Sequence, residues 1–168
     1  DFFEFVLPVT YGDDMLAAVK PVMSSQFNNV VYQKFCEQNY GMTFTDATKS
    51  TEMRPFLKIS EMSFLKRKFL QRSTPFGVRW MAPLDIESIF RSLEWRIPSN
   101  FVAESDQCID MLSSALTELF FHLGEKEYSI VREGFIAAIL DTYTVSQADV
   151  EKDLPTYTAI LHRLYGDE

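Results

Sequence analysis

The chain reads as an α+β protein, with strands first, helices afterwards, and a change of period near residue 83. Three observations carry this reading. Up to that point short β-type runs alternate with turn residues, and beyond it apolar residues recur at helical spacing. The hydrophobic content, 46% of 168 residues, is enough to bury the core of one domain or of two small subdomains.

The first element is a hairpin. Phe2-Phe3-Glu4-Phe5-Val6-Leu7-Pro8-Val9-Thr10 and Met15-Leu16-Ala17-Ala18-Val19 flank Tyr11-Gly12-Asp13-Asp14, which predicts two buried strands joined by a very short acidic loop. A lone hairpin this apolar is not stable in water. With no initiator Met, and an opening strand that needs neighbours on both faces, the chain is expected to be the C-terminal part of something larger.

Met23, Phe27, Val30, Val31 and Phe35 then recur at helical spacing, with Ser24 or Ser25 as N-cap and Gly41 to end the helix. Met42-Thr43-Phe44-Thr45 reads as a short strand and Asp46-Ala47-Thr48-Lys49-Ser50 as a polar loop. β-type residues follow around 55–59. The runs 62–69 and 76–80, separated by Arg72-Ser73-Thr74-Pro75, predict a second hairpin.

From residue 83 the pattern is helical. Ile86, Ile89, Phe90 and Leu93 form one stripe, with Asp85 and Glu87 suited to its start and Trp95 at its end; Phe90 and Trp95 are assigned to the core. Met111, Leu112, Ala115, Leu116, Leu119 and Phe120 form a second, closed by Gly124, and Tyr128, Val131, Phe135 and Ile139 a third. Pro155, placed in the first turn of a fourth helix, precedes Tyr157, Ile160, Leu161 and Leu164. The terminal Tyr165-Gly166-Asp167-Glu168 echoes the acidic loop but has no strand after it, and reads as a frayed end.

The net charge is -8, which argues against a generic nucleic-acid-binding surface. Its distribution is uneven. Residues 49–79 hold eight basic and two acidic residues, a balance of +6, whereas residues 80–168 hold six basic and sixteen acidic, a balance of -10. Such a band can hold a phosphate backbone in one place only, or it can be an ordinary solvated surface. Cys36 and Cys108 lack metal-ligand partners nearby and are expected as buried free thiols of a reducing compartment. No apolar run reaches the roughly 18 to 20 residues of a spanning helix, and no leader pattern opens the chain, so neither membrane insertion nor secretion is indicated.

Chemistry concentrates at Asp13 and Asp14. Adjacent carboxylates at a strand turn offer hard oxygen ligands to Mg²⁺, which takes one or two carboxylates with phosphates and waters. Two such ions about 4 Å apart activate an attacking oxygen and stabilise a leaving one in phosphoryl transfer. Gly-Asp pairs also favour tight turns for conformational reasons alone.

Four pieces together resemble the palm-to-thumb half of the RNA-dependent RNA polymerases of picornavirus-like positive-strand RNA viruses. Tyr11-Gly12-Asp13-Asp14 is similar to their motif C, and Tyr40-Gly41-Met42-Thr43-Phe44-Thr45 with Lys49-Ser50 to motif D. Phe64-Leu65-Lys66-Arg67 is similar to motif E, the primer-grip hairpin, and residues 83–95 to the opening of the thumb. The resemblance covers about residues 1 to 100. It implies the C-terminal part of a right-hand polymerase: palm over 1–60, primer-grip hairpin over 61–82, helical thumb over 83–168.

The same resemblance implies roles. Asp13 would ligate metal directly, and Asp14 would tune the second metal and the nucleotide; Mg²⁺ is the implied ion, with Mn²⁺ able to replace it. Lys49 would act as general acid toward pyrophosphate. Phe64 and Leu65 would pack the hairpin onto the palm, and Lys66 and Arg67 would steady the 3′ end of the growing strand through its phosphates. The implied partners are RNA template and primer, nucleoside triphosphates, and the remaining palm and fingers, whose motifs these 168 residues lack. The fragment alone should therefore be inactive. The implied location is the host cytoplasm, at viral replication complexes, after release from a polyprotein. Reverse transcriptases carry a related hairpin, though usually without Gly between the aromatic residue and the acids; a non-catalytic helical interaction module is the alternative outside the class.

Overall fold

A computed structural model of the protein describes residues 1–47, 49 and 52–166. It is a mixed α+β chain that divides into two compact units, Asp1–Phe69 and Leu70–Glu168.

The first unit is built on an antiparallel hairpin of β1 (Val6–Tyr11) and β2 (Asp14–Val19), in register from Val6↔Val19 to Tyr11↔Asp14. Residues Phe2–Glu4 form a short 3-10 helix rather than strand, because the Asp1 carboxylate accepts from the Phe3 N–H and closes the turn. Opposed residues share a face, so the register sorts the side chains. Val6, Pro8, Ala17 and Val19 lie on the covered face, and Val6 is 1% exposed. The other face carries Leu7, Val9 and Tyr11, all more than half exposed. Expecting both strands to be buried was therefore wrong for one face.

The helix α1 (Asn29–Tyr40), capped at Asn28, starts three or four residues later than the Ser24/Ser25 cap predicts. Pro21–Met23 forms a 3-10 turn whose Pro21 carbonyl captures the Ser24 hydroxyl at 2.7 Å, and Asn28 caps instead, its side chain accepting from the Val31 N–H at 3.0 Å. Gly41 ends the helix in the left-handed conformation, φ 62°, as expected. The inward face is also not the one the apolar spacing predicts. Phe35 and Val31 are exposed, whereas Tyr32 and Cys36 turn inward. On the same side Asn29 and Gln33 donate to the backbone carbonyls of Arg54 (3.2 Å) and Phe44 (2.9 Å), tethering the chain that follows. That tether explains why residues 42–45 form no strand: Phe44 spends its carbonyl on Gln33 and packs its ring edge-on to Tyr32. Residues 55–58 are likewise irregular, and Ile59–Glu61 is a 3-10 turn held by the Glu61 carboxylate, which accepts from the Lys58 N–H and from Arg54, both at 3.0 Å. Those two bonds lower the Glu61 pKa.

The second hairpin is really two. Residues 62–69 fold back on themselves as β3 (Ser63–Phe64) and β4 (Arg67–Lys68), and β5 (Leu70–Thr74) pairs separately with β6 (Gly77–Met81). The predicted partners, 62–69 and 76–80, do not pair. Pro75 supplies the fixed φ of a tight turn and Gly77, at φ 93°, completes it, so β6 is committed to the strand just before the turn.

In the second unit α2 (Ile86–Glu94) is capped by Asp85, whose carboxylate accepts from the Ser88 N–H at 3.2 Å. Its Ile89 packs with Ala115 and Leu119 of α3 (Glu104–Leu119). Phe90 and Trp95 are 52% and 82% exposed, against the core assignment: Phe90 sits on the helix flank and Trp95 is already extended, beyond the last turn. Arg72 ties β5 to this unit, donating to the Phe121 carbonyl at 3.0 Å.

The main core joins Leu116, Phe120, Tyr128, Ile136, Ile139, Val150, Leu154 and Ile160. Tyr128, Ile136 and Ile139 belong to α4 (Glu125–Thr142). Gly124, expected to close α3, is instead the extended N-cap of α4. Pro155 lies just ahead of Thr156, the N-cap of α6 (Tyr157–Tyr165), and not in its first turn. A short helix that the periodicity did not reveal, α5 (Gln147–Asp153), contributes Val150, and Arg132 donates to the carbonyls of Glu151 (2.7 Å) and Leu154 (3.0 Å) at its C-terminal end. Among the described residues, no helix is long and apolar enough to cross a membrane.

Tyr128 links these helices. It is fully buried, its hydroxyl donates to the Pro155 carbonyl at 2.7 Å, and burial pushes its pKa up to about 12. Tyr128→Phe should destabilise the unit by about 1–3 kcal/mol, because the Pro155 carbonyl is left without that donor. The folded pKa lies above that of a free tyrosine, so this contribution to stability is fully present below pH ~10 and is lost as pH rises toward 12, a dependence that should be weaker in the Phe variant. Amide hydrogen exchange across α4 and α6 in the intact protein checks both statements.

Candidate active site

The acidic tip is set by backbone geometry. Gly12 and Asp13 are the two central residues between the paired Tyr11 and Asp14, and Gly12 takes φ 60° while Asp13 does not take a positive φ. Glycine at the first central position is the pattern of a type II′ turn, whose twist suits a two-residue hairpin. A Cβ at Gly12 would meet nothing within 4 Å, so conformation, not space, is what favours glycine there.

Asp13 therefore sits on the turn and Asp14 opens β2, both exposed. Asp14 is opposite Tyr11 and shares its face with Val9 and Leu16. Neither carboxylate forms an ion pair among the described residues. Two uncompensated carboxylates on consecutive residues have the donor chemistry for a hard divalent cation. They do not complete a shell: among the described residues no group of three His, Cys, Asp or Glu side chains converges.

Lys49 is exposed and adopts φ 53°, with its N–H donating to the Asp46 carbonyl at 3.0 Å. The turn, with Asp at its first position, fixes where the side chain starts. No hydrogen bond or ion pair among the described residues joins Lys49 to Asp13 or Asp14, and Ser50, its companion in the sequence pattern, lies outside the described residues.

Lys66 and Arg67 belong to the β3–β4 hairpin, and β3 approaches β2 of the acidic hairpin. Lys66 is exposed at the tip with φ 60°, and Arg67 is half-buried where the strand resumes. Phe64 is partly buried, but Leu65 is on the turn itself, 39% exposed with φ 52°, instead of packing inward. The sequence gives no warning of this, since neither Asn nor Gly marks the turn.

All five candidate residues thus belong to one compact unit, at or next to the tips of the two hairpins and on the segment after α1. The sequence profile of the family described as Viral RNA-dependent RNA polymerase matches residues 1–136 of this chain.

The chain belongs to the viral RNA-dependent RNA polymerase family. The matched region contains every candidate residue of this polymerase segment and runs on into α4, beyond the residue of about 100 to which the motifs reach. Relatives of the segment are viral polyproteins. It is 28% identical to the replicase polyprotein of Drosophila C virus over 96% of the chain and 9% of that polyprotein. It is 32% identical to the RNA1 polyprotein of Andean potato mottle virus over 78% of the chain and 17% of that polyprotein. It is 30% identical to the RNA1 polyprotein of Cherry rasp leaf virus over 95% of the chain and 7% of that polyprotein. The polymerase segment spans less than a fifth of the length of each of these relatives. Polymerases of this family generally use divalent metal ions, which the paired carboxylates suit.

Proposed function

We propose that this chain supplies the C-terminal palm (1–60), the primer-grip hairpin (61–82) and the helical thumb (83–168) of a viral RNA-directed RNA polymerase, which joins a primer 3′-hydroxyl to the α-phosphate of a nucleoside triphosphate. The observation that carries it is the Asp13-Asp14 pair at the tip of a type II′ hairpin in a chain of this family.

Asp13 and Asp14 hold divalent ions, Mg²⁺ first, with Mn²⁺ accepted by the same oxygens. Held by Asp13 and Asp14, such ions would supply Lewis-acid activation of the attacking oxygen and neutralisation of charge on the leaving one. The remaining tasks belong to side chains. Asp13 fixes the site by direct ligation and Asp14 tunes it. Lys49 gives a proton from Nζ to the pyrophosphate oxygen as its bond to the α-phosphorus breaks. Lys66 and Arg67 hold primer phosphates. The other palm aspartates and the fingers come from the rest of the polymerase, so the 168 residues alone are inactive. Release from a polyprotein, which the polyprotein relatives support, and work in the host cytoplasm at viral replication complexes complete the reading.

The test is primer extension on an RNA template by the intact polymerase, with ribonucleotides preferred to deoxynucleotides. The variant Lys66→Ala with Arg67→Ala should bind primer-template more weakly and flatten the salt dependence of binding by about one unit per lost phosphate contact. Extension that prefers deoxynucleotides would favour a reverse transcriptase, and an unchanged salt slope would take the hairpin off the RNA backbone.

A further inference from the structure

Two amides on α1 hold the chain on either side of Lys49. Asn29 and Gln33 are four residues apart, so they lie one above the other on the same face of the helix. The Gln33 amide donates to the Phe44 carbonyl at 2.9 Å. The Asn29 amide donates to the Arg54 carbonyl at 3.2 Å, and the Asn29 backbone N–H donates to the Pro55 carbonyl at 3.1 Å. Lys49 is five residues from Phe44 and five from Arg54, midway along the chain between the two holds. Five residues reach at most about 17 Å, and two such limits drawn from neighbouring turns of one helix confine Lys49 more than either alone. An amide on an inward face costs stability unless it is hydrogen-bonded. An apolar residue there would pack without that demand, but it would fix no particular backbone atom of the segment that carries Lys49.

We propose that Gln33 is a positioning residue for Lys49, with Asn29 fixing the far end of the same segment. This rests on the reading of Lys49 as proton donor and deepens it by naming what holds the donor's backbone. Loss of the Gln33 amide releases the Phe44 carbonyl, while the Phe44 ring stays edge-on to Tyr32 with centroids 5.0 Å apart. The segment then keeps its packing and loses the bond that sets the direction of its backbone. Lys49 spends a smaller fraction of its time within reach of the leaving oxygen. That lowers the rate of the step it assists and leaves nucleotide binding alone.

The experiment uses the intact polymerase and rapid-quench addition of one nucleotide, with Gln33→Met, Gln33→Lys, Lys49→Leu and the double variant Gln33→Met, Lys49→Leu. Methionine has the length of glutamine and no donor, whereas lysine has a donor that can reach the same carbonyl. Gln33→Met should lower the maximal rate about ten-fold, within the roughly 10²-fold that a misplacement of 1 Å can cost, and leave the nucleotide KM unchanged. Gln33→Lys should recover the larger part of that rate. In the Lys49→Leu background Gln33→Met should cost nothing further, since a residue that acts only through Lys49 has nothing left to position. Burst amplitude counts the assembled molecules separately from their rate, so lost stability does not imitate the effect. A parental maximal rate in Gln33→Met, failure of Gln33→Lys to recover the larger part, or a further loss in the Lys49→Leu background overturns the inference and leaves Gln33 a residue of the fold only. Failure of the underlying reading is a different result, a parental maximal rate in Lys49→Leu itself.

Discussion

Asp13→Asn should abolish elongation by the intact polymerase and leave its RNA binding in place. Asn keeps the shape of the side chain and removes only the charge, and position 13 is an exposed turn residue with no ion pair among the described residues to lose. Folding should therefore change by no more than about 0.5 kcal/mol. The reaction should change far more. A carboxylate that holds a divalent ion carries several kcal/mol of transition-state stabilisation, and at 1.36 kcal/mol per decade a loss of about 4 kcal/mol lowers the rate on the order of 10³-fold. The measurements are rapid-quench addition of one nucleotide, primer-template affinity, and thermal midpoint, taken on the same preparations. Raising Mn²⁺ should recover part of the rate if the lost group is a metal ligand, since a weaker site refills at higher ion concentration. Elongation close to the parent's would remove Asp13 from the chemistry, whatever the other two measurements gave.

The acidic hairpin was legible because its determinants are local: two apolar runs, a glycine able to take positive φ, and two acids, all within twenty residues. Gly41 at the end of α1 and Asp85 at the start of α2 were legible for the same reason, each cap being decided by one residue and its neighbours. Where the sequence misled, a competing local bond or a tertiary partner decided the outcome. Ser24 has the right chemistry for an N-cap but gives its hydroxyl to Pro21, and Asn28 takes the role. Residues 42–45 have strand propensity, yet the Gln33 amide reaches eleven residues along the chain and captures Phe44. Periodicity placed Phe35 inside, but the covered face of α1 is the one where two amides meet carbonyls from elsewhere, and no hydrophobicity pattern encodes that. The Leu65-Lys66 turn was invisible because it uses residues that turns avoid. Of the candidate site, the sequence indicates which residue types offer the chemistry but not their relation: hairpin pairing fixes Asp13 next to Asp14, whereas the position of Lys49 relative to both depends on a loop whose neighbours 48 and 50 lie outside the described residues.

Lys49→Leu should slow nucleotide addition by roughly 10² to 10⁴, the usual worth of a positioned general acid. The structural motive is the turn that presents it: the backbone at φ 53°, pinned by the Asp46 carbonyl, sends an exposed side chain out from the end of the segment that follows α1. A lysine there could be no more than a solvated charge that attracts the triphosphate. The two roles separate kinetically. A charge that binds substrate and transition state equally raises affinity and leaves the maximal rate alone, whereas a proton donor to the departing pyrophosphate acts only as the bond breaks and lowers the maximal rate when removed. The Leu variant should therefore show the larger loss in the maximal rate and the smaller one in nucleotide affinity. Lys49→His should recover part of that rate through an imidazolium. Only the protonated form can donate, and free imidazole loses its proton near pH 6.5, so the recovered rate should fall as pH rises through about that value, a fall the parent profile does not share. A solvent isotope effect present in the parent and reduced in Lys49→Leu would mark the same proton in flight. Equal maximal rates for parent, Leu and His over a pH series from 6 to 9 would make Lys49 an electrostatic attractor of the triphosphate and nothing more, and would leave protonation of the pyrophosphate to water.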